Sequence, residues 1–474
     1  MSAGPSADPF GGTALLDSLP GTLSIHSVRG AESLDYAELV RRVSDRADRL
    51  SDLVRIEAGR IVIALADPIE VLVSLFATWA AGHCAVLVNP ELAADERSRV
   101  IESVAPHLWL DAAGPQLSRP DQAKPPTPPG AALILMTSGT TGVPKGVIHS
   151  LDTLKTRLRL NVAEIGPATL ARTLCPLPLF FGHGLIGNCL TPLFAGQRVH
   201  LLDSPGMPEF AAFGSLIDAH DITFLSSVPS MWRMILRLSP SPAQPPLRIH
   251  VGSAPLAGEL WRQIEQWCGT QHVFNTYGMT ETANWIAGGL RPAQDADGFV
   301  GAPWGGKFQV LRDGALCESG RGEVALVSPS LMLGLWGQSR GAEAREAAFL
   351  TGDIGELSAD QSLRLVGRLK NEINRAGIKV LAEEVDMLLE RHPDVVEACA
   401  FGLTDSISGE IVAAAVKLRH GARLSSNDII AWCRTHARRD AVPGRIAIVE
   451  EIAKTDRGKV AREIMKQRMK EDLC

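Results

Sequence analysis

Apolar positions along this chain fall into short continuous runs separated by amphipathic stretches, the pattern of strands buried on both faces and helices that cover them. Between residues 60 and 89, an apolar run over 61–66 is followed by Asp67-Pro68, which opens a helix, and then by a second run over 84–88. That is a βαβ unit. The pattern returns at residues 198–202, 222–225 and 248–251, so the large N-terminal part reads as α/β, with parallel strands covered by helices. Proline-rich stretches at 115–130 and 239–247 suit neither a helix nor a central strand and mark surface connections. Near residues 367–370 the pattern changes to a compact α+β module. Its strand-like runs (395–403, 411–418, 446–449) alternate with helical ones (383–391, 427–437).

A length of 474 residues allows two to four domains. The formal net charge of -6 argues against a nucleic-acid partner, which would call for a basic face. The eight cysteines are scattered and form no CxxC pair, so they read as reduced thiols in a cytosol rather than disulfides or a zinc site. Residues 1–21 lack the basic and apolar segments of a secretory signal. The longest apolar stretch, 71–82, is far short of a membrane span. A cytoplasmic protein is expected.

The most informative stretch runs from the buried-strand pattern at Leu133 into Thr137, Ser138, Gly139, Thr140, Thr141, Gly142, Pro144, Lys145 and Gly146. Glycines let backbone N–H groups approach phosphate oxygens, hydroxyls add donors and Lys145 adds a cation, which suits a polyphosphate. It is not a Walker A loop, because Pro144 and Gly146 stand where Gly and Ser or Thr would be needed. A flexible surface turn is the bland alternative. Further along, Tyr277 offers a flat face to a purine, and Thr280-Glu281 fits either a phosphate and Mg²⁺ site or a helix cap. Asp353, acceptor-only when ionised, suits ribose hydroxyls; singly, it and Arg368 could equally form a surface ion pair.

The run from Thr137 to Gly146 resembles the phosphate loop of the acyl-adenylate-forming superfamily of acyl-CoA synthetases, peptide-synthetase adenylation domains and firefly luciferase. Four more segments resemble its later motifs in order: Asn275-Thr276-Tyr277-Gly278-Met279-Thr280-Glu281, Thr351-Gly352-Asp353, Gly367-Arg368 to Asp386, and Lys454 to Arg462. The resemblance covers roughly residues 25 to 465. It implies an N-terminal domain of stacked α/β subdomains over residues 1–369 and a small mobile α+β domain over 370–474. It further implies that Tyr277 and the loop Gly252-Ser253-Ala254-Pro255 sandwich adenine, that Thr280 contacts the α-phosphate, and that Glu281 holds Mg²⁺. Asp353 and Arg368 would take the ribose, Lys459 would be the catalytic cation, Lys370 the hinge, and Gly377 would line the pantetheine tunnel. ATP, Mg²⁺ and coenzyme A are the implied cofactors and substrates.

This chain departs from the family at Asn371 and Ala382 in the hinge segment, where Asp and Pro are usual, at Ala453, where Pro begins the last motif, and at residues 347–350. None of these removes a catalytic group. In the acid pocket, Phe181 takes the gate position, Gly252 and Gly278 border the pocket, and His183 either contacts the acid or is structural. Asn284 and Trp285 line the floor or merely pack. No Asp stands ready for a substrate ammonium, which disfavours an amino acid and leaves an aryl acid with an aliphatic rival. The expected activity is ATP-dependent formation of an acyl-AMP with pyrophosphate release, followed by transfer to coenzyme A. Transfer to an acyl carrier protein, and a non-catalytic nucleotide-binding role, are the rivals.

Overall fold

The computed structural model describes residues 13–30, 32–117, 126–137, 145–202, 205–294, 296–337, 348–375, 378–405, 409–455 and 459–471. Within these, three sheets organise the chain: one of fourteen strands, one of seven and one of five.

The βαβ unit read from the sequence forms as expected. Strands Arg60–Ile63 and Cys84–Leu87 pair in parallel in the seven-stranded sheet, and helix Pro68–Ala80 crosses between them. Asp67 caps that helix, its carboxylate accepting from the N–H groups of Ile69 and Glu70, while Pro68 occupies the first turn, where no donor is needed. The three later runs become Arg198–Leu201, Phe224–Ser227 and Arg248–Gly252, all in the parallel half of the fourteen-stranded sheet. Pro115 lies on the edge strand Gly114–Leu117, where a missing donor costs no ladder bond.

The other half of the large sheet is antiparallel and carries Tyr277, Asp353 and Arg368. Strands Val273–Met279, Asn284–Leu290 and Phe299–Pro303 lead into Leu363–Arg368 and Phe349–Leu357. A three-residue turn, Leu369–Asn371, then passes the chain to strand Glu372–Arg375, which belongs to the five-stranded sheet. In that sheet Val395–Asp405 and Gly409–Leu418 form a long antiparallel pair, and Arg445–Ile448 adds a parallel strand. Helices Ala382–Glu390 and Ser426–His436 pack on one face, while the C-terminal helix Arg462–Glu471 buries Met465 and Met469 with Cys399 and Phe401.

Arg462 pins this second core. Its guanidinium pairs with Asp386 at 2.7 Å and Glu383 at 3.4 Å, and donates to the Ala400 carbonyl. Removing one member of such a buried set strands the others as unpaired charges. Arg462→Met is expected to destabilise the C-terminal sheet by about 3 kcal/mol. Urea unfolding followed by limited proteolysis should then show residues 372–471 opening before the large sheet. A single unchanged transition would contradict this placement of Arg462.

Candidate active site

The expected phosphate loop falls largely outside the described residues: Ser138, Gly139, Thr140, Thr141 and Gly142 belong to the undescribed segment 138–144. Its two ends are placed. Strands Leu133–Thr137 and Lys145–His149 pair antiparallel with Thr137 opposite Lys145, and the Thr137 hydroxyl donates to the Lys145 carbonyl at 3.1 Å. The two residues that flank the undescribed segment therefore lie opposite each other, and Lys145 is exposed.

Strand Val273–Met279 brings most of the second motif to the same side. Asn275 donates its amide to the Phe299 carbonyl at 2.7 Å, and the Thr276 hydroxyl lies 3.2 Å from the Val251 carbonyl. Two glycines are required by close packing: a Cβ on Gly252 would collide with Thr276, and one on Gly278 with the Asn284 carbonyl. Ser253 then turns with a φ of +66°, leaving Ala254 half-buried and Pro255 exposed. Tyr277 is nearly buried, and its hydroxyl donates to Asp353 at 2.6 Å. Burial beside that carboxylate pushes the phenol well above its usual range.

Asp353 and Arg368 face each other across adjacent strands and pair at 2.8 Å. Together with Thr351, Leu369 and Lys370, Arg368 borders a cavity of about 330 Å³ at the turn between the two sheets. Lys370 is held below its ordinary range, first by burial and then by the Arg368 charge.

Thr280 does not cap a long helix: Thr280–Thr282 is a single 3₁₀ turn. Among the described residues neither the Thr280 hydroxyl nor the Glu281 carboxylate makes a hydrogen bond, and both are half-buried. Two hard oxygen donors so placed fit Mg²⁺.

His183 opens a π-helix, His183–Leu190, rather than an ordinary helix. Its ring is fully engaged: Nδ1 lies 2.8 Å from Ser253 Oγ and Nε2 2.6 Å from Ser226 Oγ. Burial, with the Lys459 charge second, lowers its pKa to about 3. Phe181 meets the ring edge-on at 5.9 Å and Trp285 at 5.4 Å. Trp285 also stacks edge-on with His250 and Phe224, so it closes the space behind His183.

Lys459 approaches from the small sheet. Its loop is stitched by Thr455 N–H to the Lys459 carbonyl at 2.8 Å and by a bridge between Lys454 and Val460. Ion pairs fasten this sheet to the large one: Arg233 to Glu390 at 3.1 Å and Glu397 at 3.4 Å, and Arg391 to Asp297 at 2.7 Å. Gly377, the expected tunnel residue, lies outside the described residues. The departure at position 371 has a local reason. The Asn371 amide donates to Glu383, which also accepts the Arg368 N–H at 3.2 Å; an Asp there would set two carboxylates together.

Sequence reasoning missed His149, Arg157, Ser226 and Ser330. Their roles come from contacts between distant segments, although His149 lies on the strand that begins with Lys145. His149 is buried, donates to the Thr280 carbonyl at 2.8 Å, and burial lowers its pKa to about 4.

Tyr277, Asp353, Arg368 and the Thr280–Glu281 turn thus lie along the large sheet, and His149, on the strand that begins with Lys145, bonds that turn. Residues 107–336 match the AMP-binding enzyme family and residues 384–459 the AMP-binding enzyme C-terminal domain. The chain is 35% identical to the oxalate–CoA ligase of Arabidopsis thaliana, over 72% of this chain and 68% of that protein. It is 34% identical to a probable CoA ligase of Humulus lupulus, over 71% of this chain and 66% of that protein, so it spans about two thirds of these relatives' length. ATP-bound MatB from Rhodopseudomonas palustris shares the fold, with a TM-score of 0.84 over 98% of this chain and 99% of that one, at 22% identity. The chain belongs to the AMP-binding enzyme family.

His149 and His183 remain neutral in the folded chain, whereas both protonate near pH 6.5 once unfolded. Their contribution to stability is therefore complete above that pH and is lost as pH falls toward 4 for His149 and 3 for His183. Each should remove about 1.4 kcal/mol per pH unit within its window. Urea midpoints measured at pH 7, 6 and 5 should fall steadily; a flat profile would contradict neutral, buried rings.

Proposed function

We propose that the protein is an AMP-forming carboxylic acid–CoA ligase. The observation that carries this reading is that both parts of the chain match the AMP-binding enzyme family and that ion pairs fasten the sheet bearing Lys459 to the one bearing Asp353 and Arg368. In this reading Lys459 is the cation at the place where a carboxylate meets the α-phosphate. Attack by an already ionised carboxylate needs no base; it builds negative charge on the transferring phosphoryl, which Lys459 stabilises. Thr280 donates to the α-phosphate, Lys145 and the loop 137–142 hold the outer phosphates, and Glu281 would hold Mg²⁺, which neutralises the departing pyrophosphate. Asn275, Thr276, Tyr277 and the 252–255 loop frame adenine, while Asp353 and Arg368 take the ribose.

Coenzyme A as acceptor is favoured by the basic groups around hairpin strands Glu372–Arg375 and Ile378–Leu381. Arg438 donates to the Lys379 carbonyl at 3.3 Å, and Arg375 to the Asp440 carbonyl at 3.0 Å, which sets both cations against these strands. Lys370 is the pivot. Phe181, His183 and Trp285 enclose the acid, and the Trp285 ring limits its length to a compact aliphatic or single-ring acid.

Pyrophosphate release with a panel of such acids, with and without coenzyme A, tests the reading. Release that coenzyme A accelerates supports it; release that responds only to a phosphopantetheine-bearing carrier protein replaces the acceptor. Lys459→Ala is expected to abolish acyl-AMP formation while leaving thioester formation from supplied acyl-AMP largely intact. Trp285→Leu should shift the preferred acid toward longer chains, by about tenfold in relative kcat/KM; an unchanged ranking would remove Trp285 from the pocket floor.

A further inference from the structure

Three consecutive carbonyls, those of Thr280, Glu281 and Thr282, each accept a hydrogen bond from outside their own turn. The donors are His149 Nε2 at 2.8 Å, the Met332 N–H at 2.7 Å and Ser330 Oγ at 3.1 Å. Among the described residues the Thr280 and Glu281 side chains make no hydrogen bond, whereas the Thr282 hydroxyl bonds Met279 and Asn284, so the turn is held by its backbone and by Thr282.

Behind the turn lies Arg157, wholly buried on helix Leu151–Ile165. Its Nε and Nη2 reach Ser330 Oγ at 2.9 and 2.6 Å, Nη2 reaches Ser328 Oγ at 3.2 Å, and Nη1 reaches the Trp304 carbonyl at 3.1 Å. All of these acceptors are neutral. Among the described residues no carboxylate pairs with it, and burial lowers its pKa to about 9. A buried cation without a counter-ion is costly, and an apolar side chain would fill the same space more favourably.

The arrangement has a directional consequence. A guanidinium can only donate, so Ser330 accepts from it and its single hydroxyl proton is left for the Thr282 carbonyl. The charge also polarises that hydroxyl and strengthens the bond it donates. On its other side Arg157 holds Trp304, whose N–H bonds the Ile286 carbonyl two residues beyond Asn284. One stretch of chain thus supplies Lys145 at the loop exit, His149 on the Thr280 carbonyl and Arg157 behind Ser330.

We infer that Arg157 is a positioning residue that, through Ser330, fixes the turn Thr280–Thr282 so that the Glu281 carboxylate is aimed at the Mg²⁺ of bound MgATP. The inference rests on the proposed roles of Thr280 and Glu281. It separates Arg157 from general packing, because its loss should damage binding of the metal-bearing nucleotide more than binding of the nucleotide alone.

The test is calorimetric titration of the full-length protein with ATP, in Mg²⁺ and in EDTA, for wild type, Ser330→Ala, Arg157→Met and Arg157→Lys. Ser330→Ala should weaken MgATP binding by about fivefold and Arg157→Met by about tenfold or more. Metal-free ATP binding should change by less than about twofold. Arg157→Lys, which keeps the charge but not the fork, should fall between wild type and the methionine variant. Because they act in one chain of contacts, Arg157→Met combined with Ser330→Ala should be no worse than Arg157→Met alone. Equal losses with and without Mg²⁺, or wild-type affinity in Ser330→Ala, would overturn the inference. Should Arg157→Met fail to fold, Ser330→Ala, which deletes a single hydroxyl, decides. A wild-type protein that binds no MgATP would instead sink the reading of the site itself.

Discussion

Asp353 is the point on which the geometry of the site turns. Its two carboxylate oxygens are taken by partners from different strands, the Tyr277 hydroxyl and the Arg368 guanidinium, and the group is almost wholly buried. A buried carboxylate is stable only while such partners remain, so the three side chains hold one another in place. From there charges alternate toward the small sheet: Arg368, whose N–H bonds Glu383; Glu383, which faces Arg462; and Arg462, which pairs with Asp386. The strands that bear Asp353 and Arg368 and the segment that bears Lys459 are joined by this sequence of charges.

The ion pairs of Arg233 and Arg391 also join the two sheets. The Arg391 guanidinium is 58% exposed, so its pair with Asp297 is worth little alone, whereas the Arg233 pairs are largely shielded from water.

Much of the fold was legible where periodicity was strong. The βαβ unit at 60–87 and the long pair 395–418 announced themselves as apolar runs bounded by turn residues. The antiparallel strands between 299 and 368 were not read, because they are partly exposed and several carry glycine, which blurs the alternation. The family motifs pointed to Tyr277, Asp353, Arg368 and Lys459, and the structure joins the first three by direct contacts. No pattern in the chain could pair Asn371 with Glu383 or Arg157 with Ser330, since each contact joins segments whose proximity only the tertiary fold creates. The contacts of His183 with Ser226 and Ser253 likewise join distant segments, and no motif announced the π-helix that it opens.

The link between the sheets is only the three residues Leu369–Asn371. Such a link works as a lever with unequal arms. Arg368 stands at the near end of this link, and Lys459 follows beyond it in the part of the chain that builds the small sheet. On the roles proposed above, rotation about the link would carry Lys459 away while Arg368 stays, so that one short turn would separate holding the nucleotide from acting on it.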